Sequence, residues 1–330
     1  MQKAISAYDT PSAEPVQKRS QALVALADKL RSYNYRFTTV SPLTHAYNNE
    51  RQSDNWAHDM RDIFGWSRPF LREMVAAEDF DLMLQAGILR PWAEGWRSSI
   101  RWSSLGDLLL SHSAYPTSDT DAVFFGPDTY RFVAAVQQWL AITLPKPLLA
   151  ADIGCGSGAG AITLAKALPG CRVVASDVNS HALQMAEINA QVAAAPNVEV
   201  QFSNLLDDIE GDIDLIIANP PYMMDAQERA YRHGGGELGS GLSIRIVESA
   251  LARLQSGGTL LLYTGVAIVD GNDCFLKRLT ELLEDQNCRW SYRELDPDVF
   301  SEELRRPMYA AVERIAAVFL ILTAAAKTEC

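Results

Sequence analysis

Long apolar runs are scarce in this chain. The longest, Ile315 to Ala326, falls short of the ~20 residues a membrane-spanning helix needs. Residues Met1 to Val16 are polar, lack the apolar core of a secretory signal and read as a loose tail. Cysteine is sparse and odd in number (Cys155, Cys171, Cys274, Cys288 and Cys330), with no Cys-x-x-Cys pair, which argues against a disulfide framework or a cysteine zinc site. The histidines, His45, His58, His112, His181 and His233, show no metal-ligand spacing, so no metal is expected. A reducing, cytoplasmic setting with no membrane partner fits these absences. Positive charge is also short. The net charge is −12, and residues 1–145 carry 14 Lys and Arg against 16 Asp and Glu. Proteins that grip nucleic acid through its phosphates need a basic face. A small-molecule or protein partner is therefore expected in preference to nucleic acid.

What is present is an ordinary globular composition, 48% hydrophobic and 21% charged over 330 residues, enough for two domains. In the first part, helical spacing runs over Gln17 to Arg36, Met60 to Phe64, Pro69 to Ala77 and Phe80 to Leu89. The stretch from Ser98 to Ala114 changes period and turns at Gly106-Asp107, which predicts a hairpin. From Pro145 onward, strands alternate with helices. Strands are expected at Leu148–Ile153, Arg172–Ser176, Val198–Phe202, Ile213–Ala218, Thr259–Thr264, Arg289–Leu295 and Ile315–Thr323. Helices are expected at Ala159–Leu168, Ser180–Ala195 with Ser180 as cap, Leu242–Leu254 and Phe275–Glu284. The early strands are apolar throughout, the mark of a parallel sheet covered on both faces. The pattern predicts an α/β, doubly wound, mostly parallel sheet preceded by a smaller, mostly helical domain. The division is expected at 1–120, a substrate or lid domain, and 121–330.

Two motifs carry chemistry. Asp152-Ile153-Gly154-Cys155-Gly156-Ser157-Gly158 follows a strand and opens a helix. Its glycines let the backbone turn sharply and approach a ligand. Asp152 at the strand end would oppose a phosphate and suits an amino-bearing or cationic ligand instead. Asp177, at the end of the next strand, can accept both hydroxyls of a ribose. The second motif, Asn219-Pro220-Pro221-Tyr222, ends the fourth strand. Two consecutive prolines donate no backbone hydrogen bonds and hold an extended shape. The Asn219 side chain and the Asn219 and Pro220 carbonyls are left as acceptors that can grip an N–H₂ group. Tyr222 can stack on a planar substrate group.

These motifs resemble those of class I methyltransferases that use S-adenosyl-L-methionine (SAM), over roughly residues 124–325. The resemblance implies a Rossmann-like sheet of seven strands with the last antiparallel. It implies cofactor binding by Asp152, Gly154, Gly156, Gly158, Asp177, Val178, Asn204, Leu205 and Asn219; Asn204 stands where many members have Asp. The Asn-Pro-Pro-Tyr motif resembles that of amino-methyltransferases, both adenine-N6 enzymes and the HemK/PrmC type that methylates release-factor glutamines. Gly234-Gly235-Gly236-Glu237-Leu238-Gly239 and Gly126-Pro127-Asp128-Thr129-Tyr130 resemble two further HemK/PrmC segments. Tyr130 replaces that family's glutamate, and Arg232-His233 stand where its Glu-Pro pair is expected. The expected activity is methyl transfer to an amide or amino nitrogen of a small molecule or protein side chain. Asn219, Pro220 and Tyr222 would form the catalytic group, with Pro221, Tyr222, Tyr130 and His233 against the substrate. The alternatives are an adenine-N6 methyltransferase of RNA or DNA, and an enzyme that uses SAM in another reaction such as intramolecular cyclisation.

Overall fold

The computed structural model describes residues 13–325 except 52, 53, 55, 118, 226–228 and 230. Most of the expected N-terminal tail, and Cys330, therefore lie outside the described residues. The first part holds four helices, α1 (Ala13–Ser32), α2 (Pro42–Glu50), α3 (Met60–Phe64) and α4 (Ala77–Gln85). Two antiparallel hairpins follow, β1 (Leu89–Trp92) with β2 (Gly95–Ser98), and β3 (Ile100–Leu105) with β4 (Leu108–Ser113). The helix expected over Pro69 to Ala77 is a single 3-10 turn, Arg72–Met74. Phe70 and Trp96 exchange both backbone hydrogen bonds, at 2.8 and 2.9 Å, which holds Phe70 extended. The helix expected over Phe80–Leu89 starts three residues earlier and stops at Gln85, because Leu89 already pairs with Ser98.

Helix α5 (Pro127–Thr143), not expected from the sequence, leads into the sheet. Then come β5 (Leu149–Ile153), α6 (Ala159–Ala167), β6 (Arg172–Asp177), α7 (Ser180–Val192), β7 (Val198–Phe202) and β8 (Ile213–Ala218). The chain closes with α8 (Gly241–Arg253), β9 (Leu254–Val269), β10 (Asn272–Asp273), α9 (Cys274–Leu283), β11 (Cys288–Asp296) and β12 (Arg314–Ala324). Asn179, not Ser180, caps α7, its side-chain oxygen accepting from the His181 amide at 2.9 Å.

Seven strands run in the order β11-β12-β9-β8-β5-β6-β7, with β10 folded back on the end of β9. Strands β5 to β9 pair in parallel, and β12 is antiparallel to both neighbours. Every residue of β5 is buried, as a central strand covered on both faces requires. From β5 the chain winds one way through β6 and β7, then returns to β8 on the other side. That reversal opens a crevice at the carboxyl ends of β5 and β8. The first part shares its core with the sheet's cover: Leu26, Leu30, Phe64 and Trp102 cluster with Ala182, Met185, Ile188 and Val192 of α7.

Candidate active site

The loop after β5 turns through three glycines with positive φ. Gly154 and Gly156, at +67° and +52°, would each point a Cβ into open space. They leave a bare backbone cradle in which a ligand can lie close. Gly158 sits one step back, as the N-cap of α6. Asp152 is buried, and one carboxylate oxygen accepts from the Ala161 amide at 2.8 Å. Burial, with a smaller contribution from the neighbouring Asp177 charge, pushes the Asp152 carboxyl up to about 7. Asp177 spans the loop, taking the Gly156 amide at 3.0 Å on one oxygen and the Asn179 amide at 2.9 Å on the other. Burial raises its carboxyl as well. Beneath the loop lies Asn189, fully buried. Its oxygen accepts from the Ser111 amide and hydroxyl at 2.8 and 2.9 Å, and its nitrogen donates to the Ser111 and Ser157 carbonyls at 2.9 and 2.8 Å.

The Asn219-Pro220-Pro221-Tyr222 segment leaves β8 beside this loop. Among the described residues, neither the Asn219 side chain nor the Asn219 and Pro220 carbonyls are hydrogen-bonded, and both residues line the same cavity as Asp152. The Tyr222 hydroxyl donates to Asp128, whose other carboxylate oxygen takes the Tyr263 hydroxyl at 2.7 Å. Arg131 lies 3.3 Å from Asp128 and 2.7 Å from Asp296. Burial raises the Asp128 carboxyl, against the pull of these donors. The segment is buttressed from behind by the glycine-rich stretch. A Cβ on Gly239 would come within 2.2 Å of the Tyr222 carbonyl oxygen, so only glycine lets the two backbones pack this closely.

One cavity of about 380 Å³ joins the two motifs. Asp152, Gly154, Gly156, Asp177 and Val178 line one end. Asn204 and Leu205 line the wall after β7. There Leu205 holds φ +57°, a left-handed turn that costs a side-chain-bearing residue roughly 1–2 kcal/mol. Asn219, Pro220, Pro221 and Tyr222 line the other end. Tyr130 and His233 are not on the wall. Tyr130 points into the first part, its hydroxyl accepting from the Thr39 amide at 3.1 Å. His233 turns its Nδ1 back toward the Asp225 amide, at 3.4 Å. Their chain neighbours Thr129 and Arg232 line the cavity instead, together with Tyr231, Arg245 and Phe300. Sequence reasoning missed Asp128 as an anchor, although it stands inside the stretch singled out. Asn189 carries no sequence signal. Among the described residues, no cluster of His, Cys, Asp or Glu could hold a metal ion, and no helix is long and apolar enough to cross a membrane.

Residues 134–268 match the methyltransferase small domain family. The chain is 33% identical over 157 residues to the release factor glutamine methyltransferase of Koribacter versatilis, covering 44% of this chain and 55% of that one. The Escherichia coli release factor glutamine methyltransferase is 32% identical over 151 residues, covering 42% and 53%. The chain thus spans about half the length of the curated relatives it matches. Among solved structures, the M. jannaschii tRNA m1G37 methyltransferase superposes with a TM-score of 0.48 at 14% identity, covering 69% of this chain and 58% of that one.

Proposed function

We propose that this chain, whose sheet-bearing part is HemK/PrmC-like and of class I methyltransferase type, transfers a methyl group from SAM to an amide or amino nitrogen. One observation carries the reading. The glycine cradle with its two acids and the unpaired acceptors of Asn219 and Pro220 open into a single cavity.

The residues fit SAM, which supplies an electrophilic methyl group on a sulfonium sulfur. The Asp177 carboxylate faces the cavity where ribose hydroxyls can donate to it, and Asp152 suits the ammonium group. Val178 and Leu205 offer apolar contact to the adenine, and Asn204 an amide. At the other end, the Asn219 side chain and the Pro220 carbonyl accept the N–H groups of the acceptor and hold its nitrogen lone pair free. Such orientation supplies much of the rate of a displacement between two bound reactants. Tyr222 is no general base, because its hydroxyl is donated to Asp128 and burial raises it well above its ordinary range. The nitrogen sheds its proton after attack. Among the described residues none within 1–120 lines the cavity, so Tyr231, Arg232 and Phe300, rather than the first part, wall the acceptor end.

The relatives favour a protein side-chain amide as acceptor, and with it a cytoplasmic enzyme. A release-factor glutamine is the first acceptor to try. Purified chain would be incubated with SAM and candidate acceptors, reading S-adenosylhomocysteine and a methylated nitrogen by mass spectrometry. Methylthioadenosine in place of S-adenosylhomocysteine would defeat the proposal.

A further inference from the structure

Arg101, on β3 in the first part of the chain, is 5% exposed and has no carboxylate partner among the described residues. Its Nε donates to the Ser113 carbonyl at 3.3 Å, and its terminal nitrogens have no hydrogen-bond partner among those residues. The titratable groups acting on it are the phenols of Tyr35, Tyr115 and Tyr130. Burial lowers the guanidinium to about 10, still charged at neutral pH. The chain's other buried arginine treats its charge differently. Arg68, 6% exposed, is ion-paired with Asp62 and donates to Asn49 at 3.1 Å. A buried charge without a counter-charge is unfavourable by far more than the single neutral hydrogen bond at Arg101 offsets.

The groups around Arg101 are spoken for. Tyr35 donates to the Trp102 carbonyl at 2.8 Å, and the Tyr130 hydroxyl holds the Thr39 amide. His112 lies between Ser103 at 2.7 Å and the Ser113 carbonyl at 3.2 Å. Two exceptions remain: the Tyr115 hydroxyl has no hydrogen bond among the described residues, and His45, fully buried and tilted against the Tyr115 ring at 4.1 Å, has Nε2 on the Trp66 carbonyl at 2.9 Å and Nδ1 unpartnered. The nest adjoins the cavity. Ser113 exchanges two hydrogen bonds with Val123, and the Tyr231 hydroxyl donates to the Thr117 carbonyl at 2.9 Å. Val123 and Tyr231 both line the cavity.

We propose that Arg101 is the centre of an oxyanion-binding subsite in the first part of the chain, which takes a carboxylate or phosphate group of a small ligand or acceptor. A planar guanidinium matches either group with two parallel hydrogen bonds. The inference goes beyond methyl transfer and does not depend on it.

The test is calorimetric titration of the full chain with inorganic phosphate and, separately, acetate, at constant ionic strength in chloride. Saturable binding of at least one anion is expected; the tighter of the two identifies a phosphoryl or a carboxylate source. Arg101→Met keeps the bulk and removes the charge. It should weaken that binding roughly tenfold or more, the loss expected for a charged hydrogen-bond donor, and leave S-adenosylhomocysteine affinity unchanged. Arg101→Lys should retain part of the binding. If the Met variant does not fold, the arginine Nε–H resonances of the wild-type chain supply the readout, with one buried signal shifting on titration. Absence of saturable binding by the wild type overturns the proposal. So does anion binding kept by Arg101→Met, or a parallel loss of S-adenosylhomocysteine affinity in a folded variant, which would assign the anion to the cofactor cavity.

Discussion

Asn189 is the joint between the two parts of the chain, and Asn189→Ala is the perturbation that tests it. The side chain is fully buried and makes four hydrogen bonds, three to Ser111 of β4 and one to the Ser157 carbonyl of the glycine loop. Alanine leaves the Ser111 amide and the Ser111 and Ser157 carbonyls without that partner; the Ser111 hydroxyl can rotate. A buried polar group left unsatisfied costs roughly 1–3 kcal/mol. Three such groups, at the lower half of that range because the site can relax, put the loss at about 3–6 kcal/mol. Denaturant unfolding would read it as a lower midpoint with an unchanged slope. Ser157 lines the cavity, so freeing its carbonyl should also weaken S-adenosylhomocysteine about tenfold, read by calorimetry. Asn189→Asp sharpens the test. It keeps the acceptor contacts but aims a second carboxylate oxygen at two carbonyls, so it should be no better than alanine. A loss below about 1 kcal/mol with unchanged affinity would refute the reasoning, and would make Asn189 a replaceable filler.

Three further outcomes are expected. Asp177→Ala removes a ribose acceptor and also frees the Gly156 amide, so cofactor affinity should fall by roughly 1.5–3 kcal/mol; unchanged calorimetric affinity in a folded variant would remove the ribose assignment. Asp152 titrates near 7 in the free chain, above its unfolded value of 3.8, so its contribution to stability is full below about 4 and is lost as pH rises through 7. Ligand affinity runs the other way, rising with pH up to about 7 as the carboxylate forms to meet an ammonium, and Asp152→Asn should flatten that dependence in calorimetry between pH 5.5 and 8, on the order of a tenfold change per unit below 7. Asn219→Ala should cut turnover by roughly 10²–10³, by analogy with a lost transition-state donor, while S-adenosylhomocysteine affinity holds; normal methylation would reduce the motif to a turn.

The central strands of the sheet were legible as apolar runs bounded by glycine, proline and acidic residues, and Val198–Phe202 by apolar residues alternating along it. Val198–Phe202 and Ile213–Ala218 fall as the pattern places them. The cavity-lining residues were legible for a related reason: the motifs stand at strand ends, and a doubly wound sheet gathers those ends in one crevice. What escaped were contacts between distant positions. Asn189 meets Ser111 across 78 residues, and Asp128 meets Tyr222 across 94 and Tyr263 across 135. No local spacing announces such pairs. Tyr130 was misplaced for a simpler reason. Each helical step turns the side chain by about 100°, so one residue beyond Thr129 it faces the first part instead of the cavity. The β1–β2 hairpin was hidden because three of β1's four residues are exposed, leaving no apolar alternation to read.

The two departures from the HemK/PrmC pattern have a common physical consequence. Tyr130 stands for a glutamate and reaches the Thr39 amide, binding the start of α5 to the first part. Arg232 stands where a Glu-Pro pair is expected; it lines the cavity and is ion-paired with Glu303, which also holds Arg306 at 2.8 Å. Met224 is held in turn by the Tyr309 hydroxyl at 2.8 Å. Tyr130 therefore ties α5 to the first part and Arg232 ties the Asn219–Tyr222 end of the cavity to neighbouring structure, while the glycine-loop end keeps its glycines and its two acids. On the proposed function, selection among acceptors would accordingly rest on the segment after Tyr222, whose Met223, Tyr231 and Arg232 line the cavity.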